Sequence, residues 1–517
     1  MILSSLIFLP VIFALGVTLW PEKNTVRHLA LGAAVIEFLV SLVMLRQFNS
    51  QVPDLQLVER YTWISRFGIS YFLGIDGISV MLVMLTTFLT PVIILASWKS
   101  IDEKIKGFHA ALFILQTAML GTFLSMDAIL FYVFWELSLV PMYFIVGIWG
   151  GARRIYATIK FFIYTMAGSL LMLLAIIFMM RLTPEVNGGE ISGSLLDFYK
   201  LKIPFVAGDF FTAQTLLFFA FALAFAIKVP MFPLHTWLPD AHVEAPTPGS
   251  VILAGVMLKM GTFGFLRWVI PLFPDATAEY GWIFITAGVI GIIYGALVAM
   301  VQPDVKKLVA YSSVSHMGYI IIGLFALNTY GLNGALYQML NHGISTGALF
   351  ILIGMIYERT HSREISKYGG LASVLPLFTI AFVIVTMSSI AVPLTNGFIG
   401  EFLILLGAYE YSPGVAALSV TGVVLGASYM LWMVKRVFFG PKGEIVETFE
   451  KDLKHPLHDL SMREIAVLVP LIVLIFWMGI FPNHFMDYSK ASIDHLVAHK
   501  SNYTIPVNTQ QAKLEER

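Results

Sequence analysis

Residues 225–233 read FAIKVPMFP, a lysine and two prolines closing a run that, from Phe210, holds little but Phe, Ala and Leu. An ammonium that deep in an apolar segment costs about 3 kcal/mol or more on insertion scales. Pro230 and Pro233 remove backbone donors and strain the helix that would hold it. Non-helical backbone at lipid depth survives only inside protein or beside water. The stretch therefore predicts a membrane helix that breaks where it carries a charge, inside a protein-lined and wetted interior.

The rest of the chain agrees with a membrane setting. Of its 517 residues 58% are hydrophobic and only 12% charged, where soluble proteins carry about 25%. Mean hydropathy is +0.82. Lys plus Arg and Asp plus Glu both number 32, so charge points to no nucleic-acid partner. There is no cysteine, which excludes disulfides and Cys-ligated iron–sulfur clusters. No Walker A, Rossmann or HExxH pattern occurs. The chain is expected to bind no cofactor and no metal and to carry no electrons itself. Its first twenty residues lack a basic start and stay apolar to Trp20, which reads as a retained span rather than a cleaved leader.

Applying the rule of about 20 apolar residues per span gives an all-α polytopic protein with about fourteen transmembrane helices. The segments lie near 1–20, 28–46, 76–98, 109–125, 128–149, 156–180 and 211–243, the last one interrupted. They continue near 248–270, 282–301, 312–328, 332–356, 375–409 (interrupted), 414–434 and 464–482. The longest connection, 181–209, is too short for a domain, and a tail from about 488 reads as disordered or peripheral. Basic residues concentrate in alternate loops: Lys23 and Arg27; Lys99, Lys104 and Lys106; Arg153 and Arg154; Lys306 and Lys307; Arg359, Arg363 and Lys367; Lys435, Arg436 and Lys442. The opposite loops are leaner, with Arg46, Arg60, Arg66, Arg181, Lys200, Lys202 and Arg267. By the positive-inside rule the first set is cytoplasmic and both termini lie on the other side.

Ionisable groups then remain at membrane depth, and each needs a partner, a neutral state or a wet cavity. For Glu37, Asp76 and Lys160 a structural role is the simpler reading. Lys160 snorkels to the cytoplasmic edge, Asp76 caps or hydrogen-bonds near a helix start, and Glu37 faces a loop or a neighbouring protein. Glu136, Lys228, Lys259 and Glu401 are each flanked on both sides by apolar residues. Two ion pairs locking helices together would explain them, but buried pairs rarely add net stability over apolar packing, so function is preferred. His316 and His342 read equally as satisfied core residues or as links between the lysines and Glu401.

A second interruption, AVPLTNGFIGEF at 391–402, places Pro393, Gly397 and Gly400 just before Glu401. Paired breaks in two halves of a transporter mark its ion site. Burial disfavours the charged form of a lysine and a nearby carboxylate favours it, so Glu136 is expected to tune Lys228. Asp240, His242 and Glu244, beyond the first break, collect protons from the cytoplasmic side or serve only as loop and cap residues.

Five stretches carry a resemblance: FWELSLVPMYFIVGIWGG (134–151), KVPMFPLHTWLPDAHVEAPTPGSVILAGVMLKMG (228–261), QPDVKKLVAYSSVSHMGY (302–319), NHGISTGALF (341–350) and NGFIGEFLILLGAY (396–409). They resemble the antiporter-like membrane subunits of respiratory complex I, the proton-translocating NADH:quinone oxidoreductase. The likeness runs roughly from Asp76 to Phe439. It implies two inverted five-helix repeats, helices 4–8 and 9–13, each with one broken helix. The corresponding divisions are 1–107 (helices 1–3), 108–270, 271–440, and 441–517 with helix 14 and the tail. It implies a relay of Glu136 paired with Lys228, Lys259 at the centre, the two histidines, and Glu401 toward the exit. It places flavin, iron–sulfur clusters and quinone in partner subunits, and makes the L and N types the neighbours in a bacterial inner membrane. Those types usually carry lysine where this chain has Glu401, and the L type adds a long lateral C-terminal helix. The same motifs leave open a subunit of a sodium/proton antiporter or of a proton-pumping hydrogenase. A passive anchor is the reading from another class.

Overall fold

In a computed structural model, which describes residues 1–22, 25–451, 457–499 and 503–506, the chain is mostly helical. Helices α1 (Ile2–Leu19) and α2 (Val26–Gln47) lead into a hairpin of β1 (Gln56–Ile64) and β2 (Ile69–Ile75). Then follow α3 (Val80–Ala96), α4 (Ile105–Leu124), α5 (Ala128–Leu137), α6 (Leu139–Trp149), α7 (Arg154–Leu182) and the short α8 (Leu195–Phe198). Helices α9 (Ala213–Lys228) and α10 (Trp237–Glu244) flank the first break. A continuous rod comprises α11 (Thr247–Ile252), a π-helical turn at Leu253–Met257, α12 (Leu258–Gly264) and a second π turn at Phe265–Val269. After it come α13 (Pro274–Met300), α14 (Val305–Phe325) and α15 (Thr329–Thr360), then α16 (Pro376–Ser389) and α17 (Asn396–Tyr411) around the second break. The chain closes with α18 (Pro413–Phe438), α19 (Glu444–Lys451), α20 (Met462–Ile480) and α21 (Asn483–Ala498).

Among the described residues eleven helices, with α5–α6 and the α11–α12 rod each counted once, are long and apolar enough to cross a membrane. Three shorter apolar helices, α3, α9 and α16, occupy the remaining places in the sequence-derived list. Two of these are the first halves of the broken helices, which explains their length.

Burial sorts the helices into an inner and an outer set. The α11–α12 rod beyond Thr247 and the middle of α15 are buried throughout and α14 nearly so, while α1, α2, α7, α13, α18 and α20 present rows of exposed Leu, Ile, Val, Phe and Trp. In lipid this is the expected outward face, because apolar side chains need no shelter there. Small residues let the inner helices approach closely. A Cβ on Gly407 of α17 would fall 2.4 Å from the Gly331 backbone nitrogen at the start of α15, and one on Gly334 of α15 would fall 2.7 Å from the Ile404 nitrogen.

The two ends are distinct. Arg27 Nη2 donates to the Ile101 carbonyl at 2.6 Å, the Trp149 indole to the Glu103 carbonyl at 2.8 Å, Lys306 Nζ to the Ala245 carbonyl at 2.5 Å and Arg363 Nη1 to the Val243 carbonyl at 2.6 Å. These contacts tie the basic loops to one end of the bundle. Lys23 lies outside the described residues. The hairpin, the 181–212 connection and residues 503–506 gather at the other end, where Leu55 N donates to the Pro506 carbonyl at 2.9 Å and Gly193 N to the Gly68 carbonyl at 2.8 Å.

Several expectations are corrected. The helical fold class stands, with one unforeseen hairpin, whose strands QLVERYTWI and ISYFLGI are rich in the β-branched and aromatic residues that favour strands. Arg60 and Arg66 belong to it rather than to an irregular loop. Its turn needs Gly68, at φ +64° with the Ile191 carbonyl where a Cβ would stand. Glu59, buried on β1, accepts from Leu3 N at 2.9 Å and Ser4 N at 3.1 Å, closing the open amide end of α1. The tail is not unstructured from 488: α21 runs to Ala498 with Ser489, Ser492, Ile493 and Leu496 buried, and Tyr503 and Ile505 pack inside. Residues 507–517 of that tail lie outside the described residues. Arg267 is no loop residue either. It is 2% exposed in the rod and pairs with Asp76 at 2.5 Å.

Candidate functional site

Each of the four ionisable positions singled out from the sequence falls where a helix departs from regularity. Glu136 stands at the end of α5, just before the joint at Ser138, and Pro141 beyond it deprives the Leu137 carbonyl of its helical donor. Lys228 is the last residue of α9, and across the break the Trp237 indole donates to the Ile227 carbonyl at 2.9 Å. Lys259 lies between the two π turns, whose widened geometry frees backbone groups; its ammonium donates to the Ala254 carbonyl of the first turn. Glu401 sits one turn into α17, after the left-handed residues Ala391 and Leu394. The sequence showed two of these irregularities. Pro141 was a visible sign of the third, and the π turns left no sequence mark beyond Gly255 in the first.

From Lys259 onward the groups touch. Lys259 Nζ is 2.7 Å from His342 Nδ1, the His342 and His316 ring centroids are 5.8 Å apart, and His316 Nδ1 is 3.0 Å from Glu401 Oε1. Lys259, His342, His316 and Glu401 are all buried. His342 Nε2 has no hydrogen-bond partner. Beside the two rings lies a small cavity lined by Gln338, Asn341, Ser345, Thr346, Ser388 and Ser389. Gln338 Nε2 donates to Glu401 Oε1 at 3.1 Å, Asn341 Nδ2 to Gln338 Oε1 at 3.0 Å and to the Asn396 carbonyl at 2.8 Å, and the Ser345 and Ser388 hydroxyls meet at 2.6 Å. Sequence reasoning missed these neutral residues. Gln338, Asn341 and Ser345 recur at helical spacing around His342, and that periodicity was the available signal.

Glu136 and Lys228 form a separate group. The expected direct pair is not made: no ion pair joins them, and Lys228 Nζ instead meets Ser138 Oγ at 3.2 Å and stands 5.1 Å from the Trp135 ring centroid. Glu136 is half-buried with Oε1 unpartnered, and its electrostatic neighbours are Ser169, Lys228 and Tyr132. The geometric reason is the α5–α6 joint, which turns Ser138 rather than Glu136 toward the ammonium. Nor does a hydrogen bond connect Lys228 to Lys259. Between their helices Gly261 packs against the Val229 side chain and the Phe225 and Val229 backbone.

The remaining polar residues have mixed fates. Lys160 reaches the basic end as expected, and there it pairs with Asp240 at 2.8 Å and donates to the Thr236 carbonyl at 2.9 Å. Glu244 accepts from Arg153 N at 2.8 Å, while His242 is fully buried, stacked on Phe350 at 4.6 Å with both ring nitrogens free. Asp76 caps the turn before α3 through Ile78 N at 3.0 Å, in addition to its Arg267 pair. Glu37 contradicts the loop-facing expectation, being 0% exposed. No cluster of three or more metal-ligating side chains occurs among the described residues.

Residues 125–426 match the family described as NADH:quinone oxidoreductase/Mrp antiporter, TM, and residues 5–127 match NADH-ubiquinone oxidoreductase chain 4, amino terminus. NADH-quinone oxidoreductase subunit M of Rhodobacter capsulatus is 45% identical over 493 residues, covering 94% of this chain and 93% of the relative. The subunit of the same name from Rickettsia prowazekii (strain Madrid E) is 43% identical, covering 96% and 98%. A chain of respiratory complex I from Thermus thermophilus with bound NADH superposes with a TM-score of 0.83 at 30% identity, over 96% of this chain and 99% of that one. A chain of the Mrp complex from Dietzia sp. DQ12-45-1b shares the fold, with a TM-score of 0.79 at 21% identity over 95% of this chain and 52% of that one.

Proposed function

The chain belongs to the subunit M family of NADH-quinone oxidoreductase, and on that premise we propose that it moves protons through the buried Lys/His/Glu chain while electrons travel in partner subunits. The observation that carries this reading is the run from Lys259 to Glu401, at hydrogen-bond distance between Lys259 and His342 and between His316 and Glu401, with the two histidine rings in edge-on contact between them. Each member both gives and takes a proton. Lys259 Nζ gives to His342 Nδ1, and the free Nε2 of the same ring releases toward His316. His316 passes the proton to the Glu401 carboxylate, which Gln338 holds in place. The Ala254 carbonyl keeps Lys259 aimed at the histidine.

The apolar contact between Val229 and Gly261 acts as the closed gate, separating Lys228 and its tuning group Glu136 from the rest. Opening it wets the gap, and the break after Lys228 supplies the freedom to move. Bringing Glu136 onto Lys228, or withdrawing it, changes the lysine's proton affinity. Moving one charge against 100 mV costs about 2.3 kcal/mol, which quinone reduction in neighbouring subunits supplies. In this reading the two five-helix repeats cover 108–270 and 271–440. The basic end is cytoplasmic with both termini opposite, flavin, iron–sulfur clusters and quinone are held elsewhere, and the L- and N-type subunits are its neighbours.

His342→Leu tests the chain at its centre. Reconstituted in liposomes, the complex carrying it is expected to assemble, but with its NADH-driven proton uptake sharply reduced. Full pumping would remove His342 from the path.

A further inference from the structure

Among the buried acids outside the path, one stands without a hydrogen-bond partner. Glu37, halfway along α2, is 0% exposed and neither of its oxygens accepts a hydrogen bond. Its neighbours Val35, Ile36 and Leu39 face outward, while Ala33, Ala34, Ser41 and Met44 share its inward side. An ionised carboxylate without donors is the costliest occupant of such a site. A protonated one asks for an acceptor instead.

Helix α3 offers that acceptor. Ser41 Oγ lies 2.8 Å from Thr87 Oγ1, which sets these two residues opposite each other. Glu37 is one turn from Ser41 on the same row of α2. Pro91, inside α3, has no N–H, so the Thr87 carbonyl loses its helical donor at this level. Among the described residues no cation pairs with the acid. The packed helices α1 and α3 carry no titratable side chain, and α4 carries only Lys106 and His109, close to its start. On α2 itself Arg27 and His28 lie at the beginning and Arg46 at the end, about 13–15 Å from Glu37 at 1.5 Å per residue.

The other side of α3 closes the site off from the path. Leu85 and Leu89 sit against Gly343 and Gly255, neighbours of His342 and Ala254; a Cβ on either glycine would fall 2.8 or 2.7 Å from those leucines. We propose that Glu37 is a second proton-binding site of this chain, a neutral acid bonded to the proline-freed turn of α3 that keeps its proton while the relay turns over.

Infrared spectra of the reconstituted complex with and without Glu37→Gln test this. The expected result is loss of one protonated-carboxyl C=O band, with the proton-to-electron ratio unchanged. Loss of carboxylate bands instead, or a fall in that ratio, would overturn it. If the glutamine variant does not assemble, an apolar carbodiimide applied to the unaltered complex decides. The acid proton goes to a carbodiimide nitrogen, the carboxyl oxygen bonds the central carbon, and the acyl group then migrates to nitrogen as a stable acylurea. An apolar groove whose lining includes Phe38, the residue after the acid, with Leu42, Met84 and Phe88, admits an apolar reagent to this part of α2. An adduct mass on Glu37 is expected; its absence, with other carboxyls of the complex labelled, counts against the proposal.

Discussion

Asn341 shows how much of the site depends on neutral side chains. Its amide bridges Gln338 on its own helix and the Asn396 backbone across the second break, so it ties α15 to the start of α17. Asn341→Leu removes both bonds and leaves Gln338 free to release Glu401. Lost buried hydrogen bonds of this kind cost about 1–3 kcal/mol each. The variant complex is expected to assemble with a lower melting temperature and a reduced proton-to-electron ratio, read by calorimetry and liposome pumping. At the Lys228 end, Ser138→Ala removes the only hydrogen-bond partner that the ammonium has among the described residues. It is expected to alter pumping and its pH profile far more than stability.

The irregular helices do at the scale of elements what the side chains do singly. The break after Lys228 and the one before Glu401 were legible because proline and glycine leave a sequence mark. The joint at Ser138 was half legible, through Pro141. The π turns around Lys259 follow from packing, and a local reading has no access to that. The hairpin escaped notice because its strands lay in a search for long apolar runs, and the Asp76–Arg267 pair because its members are 191 residues apart. Close helix contact gives a direct test here. Gly407→Ala places a methyl on the Gly331 backbone, which no rotamer relieves. Overpacking of this sort costs about 1–3 kcal/mol and is expected to push α17 from α15, lowering thermal stability and pumping together.

For the whole molecule, the sequence marked out a membrane protein of about fourteen spans with basic loops at one end, and the structure gathers those loops as the alternation required. The same reading named all four residues that the structure brings together from Lys259 to Glu401, since ionisable groups in oil are rare enough to stand out, but it could not see that Glu136 and Lys228 stand apart. Asp76 and Arg267 anchor the opposite end, joining the start of α3 to the rod, with Tyr199 donating to the Arg267 carbonyl at 2.8 Å. Asp76→Ala leaves a buried guanidinium unpaired, a loss of about 3–5 kcal/mol. It is expected to impair assembly, which an apolar replacement at both positions restores. In the proposed mechanism such a lock keeps the bundle rigid around a path whose moving part is the short Lys228 segment.

The proton-to-electron ratio of the liposome-reconstituted complex carrying Lys259→Ala is the most direct measurement of all. Lys259 is the point where the histidine–glutamate chain begins, so the ratio is predicted to drop while the complex remains assembled and still oxidises NADH. An assembled complex pumping at the unaltered ratio would contradict the path itself.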